Sequence, residues 1–232
     1  MKPIYIPKGK AREYGDYAIN IYTGCPHRCY YCFAPNVLRR DRELFHSNIT
    51  PRENIVEETA KQIVRENITG KLIHLCFTCD PYPTGYDSTP TREIIKILKD
   101  SGNNVQILTK GDGSRDFDLL DENDWYGITL DGIKDCCKAP YRERLNSLAE
   151  AYNRGIKTWV SFEPITDSEQ FFIDLHCVSF VDKVKIGKLN YHPSNIDWKD
   201  FGKKAEDVCK KLNIDYYIKD SLRAEMEGDT NV

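Results

Sequence analysis

No run in this 232-residue chain approaches the roughly 20 consecutive apolar residues that span a bilayer. Met1 to Lys10 carries no apolar core of the kind that opens a secretory signal. The sequence therefore predicts a cytoplasmic protein without membrane contact. A charge excess is missing too: 33 Lys and Arg against 36 Asp and Glu leave a formal charge of -3. That balance argues against strong sequence-independent binding to nucleic acid, because such affinity comes from neutralising phosphates. Glycine-rich phosphate fingerprints are absent. No GxGxxG follows the first candidate strand, and Gly111-Asp112-Gly113 lacks the lysine and hydroxyl of a P-loop. Complete disulfide pairing is excluded by an odd count of 9 cysteines, which turns attention to metal or redox chemistry.

What is present describes a folded domain. Hydrophobic residues at 40% and aromatics at 11%, with no low-complexity tract, suit one large domain better than two small ones. Short β-rich apolar runs alternate with amphipathic helical patterns, the pattern of a parallel sheet covered by helices. Six strands are expected: Ala18–Tyr22, Leu72–Phe77, Val105–Leu108, Tyr126–Leu130, Thr158–Phe162 and Lys183–Ile186. Thr50, Pro51 and Glu53 read as N-cap, first helical residue and capping acid of a helix whose stripe is Ile55, Val56, Thr59, Ala60, Ile63 and Val64. Further helices are expected from Thr89 to a C-terminal Gly102, over Tyr141–Asn153 closed by Gly155, and over Asp197–Leu212. The division is an extended lead over 1–17, a core over 18–220 and a flexible polar tail over 221–232. Periodicity leaves an open doubly wound sheet and a partial barrel equally allowed; in both, chemistry gathers at the strand C-terminal ends.

Directly after the first expected strand stand Cys25, Cys29 and Cys32, with Pro26-His27-Arg28 and Tyr30-Tyr31 between them, a CxxxCxxC spacing. Three thiolates can hold three corners of an iron-sulfur cubane and leave one iron for an outside ligand. The amino and carboxylate groups of S-adenosylmethionine (SAM) can chelate that iron. Its sulfonium is then placed for one-electron cleavage to a 5'-deoxyadenosyl radical. Two alternatives stay open on the residues alone: a zinc site that draws in His27 as fourth ligand, and three plain buried thiols. Lys8, Lys10, Arg12, Arg28, Arg39, Arg40 and Arg42 surround the motif as a basic patch or an ordinary solvated face.

The motif, with an aromatic residue before its last cysteine, resembles the radical SAM superfamily, and the chain is similar to the spore photoproduct lyase-like branch. Pro7-Lys8-Gly9-Lys10-Ala11-Arg12-Glu13-Tyr14, Thr78-Cys79-Asp80-Pro81-Tyr82, Leu108-Thr109-Lys110, Thr129-Leu130 and Ser161-Phe162-Glu163-Pro164 carry that resemblance. It implies an α/β fold, a single-domain partial (β/α)6 TIM-type barrel. It implies a [4Fe-4S] cluster on Cys25, Cys29 and Cys32, SAM as co-substrate, and an electron donor such as flavodoxin or ferredoxin. Tyr31 would support the adenine largely through its backbone, Cys79 and Asp80 would make polar SAM contacts, and Lys110 and Thr129 would lie near the SAM carboxylate and ribose. Phe33, counted with the cofactor-binding residues, stands where the photoproduct lyase has a hydrogen-relaying tyrosine. Its hydrogen-donor cysteine aligns nearest to Phe77, so Cys79 becomes the candidate donor. Cys76, one residue before Phe77, should point the opposite way to Cys79 if the strand runs regularly through both.

Three functions follow as expectations. Radical catalysis on a nucleic acid or nucleotide base is the first, with Tyr30, Tyr82 and Tyr86 available to stack a base. Radical modification of a peptide or small metabolite is the second, favoured by the roughly 45 residues after the sixth strand, fewer than a lesion-gripping C-terminal region needs. A zinc or cluster-bearing structural module is the third. Cys136, Cys137, Cys177 and Cys209 form no ligand pair at cluster spacing, so one cluster is expected.

Overall fold

The computed structural model describes residues 2–132 and 140–228. All six expected strands are present, extended or trimmed at their ends. They are β2 (Tyr17–Ile19), β3 (Leu72–Leu75), β4 (Asn104–Thr109), β5 (Trp125–Thr129), β6 (Lys157–Ile165) and β7 (Lys183–Lys188). Two more flank them: β1 (Ile4–Tyr5) and β8 (Asp215–Ile218). The strands lie side by side in chain order from β1 to β8, all parallel except the antiparallel pair β1 and β2. A doubly wound sheet reverses its order at a switch point. This sheet does not, and that monotonic order is what makes it a partial barrel.

The two faces of the sheet are read from alternation. Ile73, Leu75, Val105, Ile107, Tyr126, Ile128, Val160, Phe162, Val184 and Ile186 are all fully buried in the shell against the helices. Their neighbours His74, Gln106, Gly127, Thr129, Ser161, Glu163 and Lys185 face the lumen. The register aligns these residues in layers, with Thr129 beside Ser161, Ser161 beside Lys185 and Lys185 beside Tyr217. Trp159 fills the lumen over Gly127, where a Cβ would stand 2.2 Å from the indole nitrogen. Its N–H donates to the Ile107 carbonyl at 2.9 Å.

The outer layer comprises α3 (Ile55–Glu66), α4 (Thr89–Asp100), α5 (Tyr141–Asn153), α6 (Ser168–Cys177) and α7 (Trp198–Leu212). Pro90 in the first turn and Gly102 at φ 70° bound α4 as expected. Its buried Ile94, Ile95 and Leu98 contribute roughly 1.5–3 kcal/mol each by leaving water. The expected start of α3 is corrected. Pro51 pairs with Tyr22 in an isolated bridge and the Arg52 N–H bonds to the Ile21 carbonyl at 2.8 Å, so the helix begins only at Ile55, after a left-handed Asn54. Val64 is exposed rather than part of the apolar stripe. Gln62 takes a buried place instead and clasps the N–H and carbonyl of Ile4 at 2.8 Å each, fixing β1 on α3.

The lead from residue 2 and the tail as far as residue 228 are built into the fold. Residues 4–5 pair with Ile19 and Ala18, and a short 3-10 turn spans Gly9–Glu13. Residues expected to form a flexible tail instead begin in α8 (Asp220–Glu227), where Leu222 is fully buried. Two further helices, α1 (Ala34–Val37) and α2 (Arg42–Ser47), follow the cysteine motif.

Candidate active site

The loop after β2 carries the three motif cysteines, and its shape is set by backbone contacts. Cys25 donates its N–H to the Phe45 carbonyl at 3.2 Å, and Cys32 donates to the Cys29 carbonyl at 3.0 Å. Gly24 permits the first of these: a Cβ there would lie 2.3 Å from the Phe45 oxygen and 2.8 Å from that of Asn48. Arg42, which the sequence offered only as part of a basic patch, is the clamp of the loop. Its guanidinium donates to the carbonyls of Cys29 at 2.6 Å, Tyr30 at 2.7 Å and Cys32 at 3.1 Å. Burial pushes the Cys25 thiol well up and the Cys32 thiol to about 11, with the Arg42 charge among the influences drawing Cys32 down.

His27, the possible fourth ligand, is committed elsewhere. It is buried, with Nδ1 3.2 Å from Asp80 Oδ2 and Nε2 3.1 Å from Thr84 Oγ1. Among the described residues no three His, Cys, Asp or Glu side chains gather round a single-ion point. A structural zinc ion usually takes four protein ligands, whereas three thiolates without a fourth protein ligand suit a cubane that keeps one iron open.

Beside this loop, the ends of β3, β4 and β5 meet. Asp80 accepts from the Tyr82 N–H at 2.8 Å and Thr109 Oγ1 at 2.5 Å through one oxygen, and from the Lys110 N–H at 2.8 Å through the other. The side chain expected as a SAM contact thus holds the strand ends together. Lys110 Nζ lies 2.6 Å from Asp131 Oδ2 and 5.5 Å from the centre of the Tyr31 ring. The Tyr31 hydroxyl donates to the same carboxylate. Burial opposes ionisation of Asp131, but Lys110, Tyr31 and Arg144 together hold its carboxyl below the usual range. Arg144, fully buried, donates to the Thr129 carbonyl at 2.7 Å. Asp131 is the residue that sequence reasoning missed here: it joins the cysteine loop, through Tyr31, to the β4 end, through Lys110. Thr129 is buried at the end of β5, and Phe33 is exposed.

The remaining expected residues separate. Strand β3 ends at Leu75, and Cys76 takes a left-handed φ of 70°, so the alternation assumed for Cys76 and Cys79 breaks. Cys79 Sγ accepts from the Tyr22 N–H at 3.4 Å, and the two thiols lie near enough to shift each other's ionisation. Tyr82 is buried with its hydroxyl donating to Asp116 at 3.1 Å and cannot stack a ligand, whereas Tyr30 and Tyr86 are exposed. Cys177 is exposed and Cys209 buried, each alone; Cys136 and Cys137 lie outside the described residues.

A second polar group fills the lumen. Tyr14, from the lead, inserts among His74, Phe77 and Trp159 with ring centres 5.6, 5.7 and 5.9 Å away. Its hydroxyl donates to Glu163 and lies 3.3 Å from Ser161 Oγ. The ammonium groups of Lys185 and Lys219 sit 4.3 and 4.4 Å from its ring centre. Lys219 pairs with Glu163 at 2.9 Å, and Lys185 donates to the Glu13 carbonyl at 2.9 Å. Burial, then the charges of Lys219 and Lys183, pull Lys185 down to about 8.

Three cysteines on a clamped loop thus stand at the strand C-terminal end of a parallel partial barrel, where enzymes of this architecture gather their chemistry. The chain belongs to the radical SAM superfamily, whose family model matches residues 19–166. An uncharacterised protein of Methanocaldococcus jannaschii is 30% identical over 177 residues, covering 71% of this chain and 64% of that protein. The chain thus matches a little under two thirds of that relative's length. Spore photoproduct lyase complexed with dinucleoside spore photoproduct is similar in structure, with a TM-score of 0.65 at 14% identity over 92% of this chain and 79% of that one. Streptococcus suis SuiB bound to S-adenosylmethionine gives 0.62 at 10% identity over 87% of this chain and 46% of that one. At these identities the likeness is one of fold. The superfamily's cofactors are a [4Fe-4S] cluster and SAM. No helix among the described residues is long and apolar enough to cross a membrane.

Proposed function

We propose that this chain is a SAM-cleaving radical enzyme that acts on a nucleic acid or nucleotide base. The observation that carries the first half is the donor set: three cysteines outside any disulfide, Cys25, Cys29 and Cys32, with His27 engaged by Asp80 and Thr84. The cluster, when bound, supplies the electron that cleaves SAM to a 5'-deoxyadenosyl radical. The chain's own residues orient and exclude. Arg42 holds the loop carbonyls in place, Asp131 fixes the Lys110 ammonium and the Tyr31 ring beside the strand ends, and Trp159 and Tyr14 fill the lumen below them. Lys110 and Thr129 are assigned to the SAM carboxylate and ribose, and Tyr31 to the adenine. Of the two thiols after β3, Cys79 is the one not fully buried, and return of a hydrogen atom is assigned to it.

The nucleic-acid half rests on the exposed Arg28, Arg39 and Arg40 around the loop and the exposed rings of Tyr30 and Tyr86. A small metabolite is the second substrate class, favoured by the plugging of the lumen by Tyr14, which confines the reacting group to the mouth.

Anaerobic reconstitution should give about four irons per chain and 5'-deoxyadenosine on reduction with SAM by flavodoxin or a chemical donor. Cys29→Ala should abolish both, and His27→Ala should keep its iron; zinc uptake in place of iron would defeat the assignment. Salt-dependent binding of single-stranded or damaged DNA is expected, and its absence at low salt would transfer the substrate to the metabolite class. Unchanged turnover in Cys79→Ala would remove that thiol from the chemistry.

A further inference from the structure

The cluster motif leaves a second cysteine pair unexplained. Cys76-Phe77-Thr78-Cys79 has CxxC spacing, and the fold makes it a pair in space as well. Cys76 caps the end of β3 with its N–H on the Ile19 carbonyl at 2.8 Å, then turns left-handed at φ 70°. A residue with a side chain takes that conformation at a cost and only where its surroundings enforce it. The enforcement comes from Asn20, whose Oδ1 accepts from the N–H groups of both Phe77 and Thr78, at 2.8 and 2.9 Å. These two bonds fold the intervening residues back and bring the thiols near enough to influence each other's ionisation.

The pair is also asymmetric. Cys76 is buried among core residues, while Cys79 is half-buried and receives the Tyr22 N–H at 3.4 Å. Burial opposes ionisation of Cys79, but the Cys76 thiol, the amides of Tyr22 and Ile21 and the charge of Arg52 outweigh it and set its thiol below the ordinary value. Cys76 moves the other way, raised by burial and then by its neighbour. Tyr5, Tyr22 and Asp80 are the other ionisable groups nearby. A partly buried, more acidic thiol near a buried, less acidic one is the order expected of an attacking and a resolving cysteine.

We propose that Cys76 and Cys79 form a redox-active dithiol, separate from the cluster cysteines, which exchanges with disulfide-bearing molecules. The Cys79 thiolate attacks one sulfur of the partner disulfide, breaks the S–S bond and expels the first thiolate. Cys76 then loses its proton and attacks Cys79 Sγ, expelling the second. The chain ends with one internal disulfide, two electrons poorer, and the partner ends as two thiols. Asn20 is the positioning residue of this turn.

The test uses the iron-loaded protein, without oxygen, in buffers of reduced and oxidised glutathione. Free thiols are alkylated and the protein is digested with trypsin. Cleavage after Lys71 and Arg92 places both cysteines on the fragment 72–92, apart from those that carry Cys25, Cys29 and Cys32. With rising oxidised glutathione, both alkylation sites of that fragment should disappear in a single transition that dithiothreitol reverses, while iron content stays constant. Persistence of both alkylated thiols in excess oxidised glutathione, or oxidation only as iron is lost, would overturn the proposal. Cys76→Ser should trap glutathione on Cys79, and Cys79→Ser should leave Cys76 unmodified; an adduct on Cys76 would overturn the assigned order of attack. None of these readouts requires SAM cleavage, so failure here leaves the radical enzyme assignment standing, and failure there leaves this one.

Discussion

Replacing Arg42 with alanine tests whether the cysteine loop is held from outside. The guanidinium makes three hydrogen bonds to loop carbonyls, two of them at 2.6 and 2.7 Å. A hydrogen bond to a charged group contributes roughly 1.5–3 kcal/mol. Because Arg42 is half-buried, about 1 kcal/mol each is the fitting value, or about 3 kcal/mol together. The loop must be ordered for three thiolates to engage one cluster, so this energy is linked to cluster retention. At about 1.4 kcal/mol per decade it corresponds to roughly a hundred-fold weaker hold. Loss of groups that orient metal ligands typically costs about 10–100-fold in affinity. The assay is anaerobic transfer of iron from the reconstituted protein to a competing chelator, read by the fading of the cluster absorbance. Arg42→Lys, which offers one compact ammonium in place of a fork, should recover only part of the loss. Iron retention in Arg42→Ala within about two-fold of the parent would refute the clamp, because the linked energy would then be near 0.4 kcal/mol.

Asp131→Asn should weaken SAM binding by about ten-fold or more with little change in iron content, since breaking a buried ion pair is costly and Lys110 and Tyr31 share this carboxylate; equilibrium dialysis with SAM measures it. Gly24→Ala should lower iron uptake, because its Cβ meets the Phe45 carbonyl at 2.3 Å and the loop must move. His74 is held down to about 3 by burial and the Lys185 charge. The unfolded chain therefore binds more protons between pH 6.5 and 3, and stability falls by about 1.4 kcal/mol per unit as pH drops through that window. Denaturant titrations at pH 6.5 and 5 should show about 2 kcal/mol less acid loss in His74→Phe than in the parent. Tyr14→Phe keeps the ring under both lysines and should cost about 1 kcal/mol, whereas Tyr14→Ala should cost about 3–5 kcal/mol; equal costs in urea melts would contradict the packing role.

The legible parts of this molecule are those written locally. Each of the six central strands is a short apolar run between turn residues. The cysteine spacing, Pro90, Gly102 and Asp197 announced the loop and the helix ends without help from distant contacts. What stayed hidden depends on pairing across the chain. Strand β1 has two residues and exists because Ile19 and Gln62 bind it. The capping pattern at Thr50 lost to a bridge between Pro51 and Tyr22, a contact with no sequence signal. Arg42 reads as one more surface cation because its acceptors are backbone carbonyls, which every residue has. The Cys76 turn was misjudged for a similar reason: strand alternation is a rule for regular strands, and Asn20 ends the regularity from 56 positions away.

Tyr14 shows how the lead completes the barrel. The sheet leaves β1 and β8 as separate edges, and Glu13 reaches across to the far one, accepting from Lys185 through its carbonyl and from Tyr217 at 3.1 Å through its carboxylate. Lys10 donates to Asn190 at 3.4 Å on the same side. With this strap in place, the Lys219 and Glu163 charges neutralise each other under the Tyr14 ring, and Lys185 faces aromatic rings and a carbonyl rather than water. The lower lumen is thereby filled, with Glu163, Lys185 and Lys219 all partnered inside it. At the strand ends, by contrast, Lys110 and Thr129 sit beside the cysteine loop, to which Asp131 ties Lys110 through Tyr31. On the proposed function, selectivity is then set by what this end of the barrel admits beside SAM, because the lower lumen is already occupied.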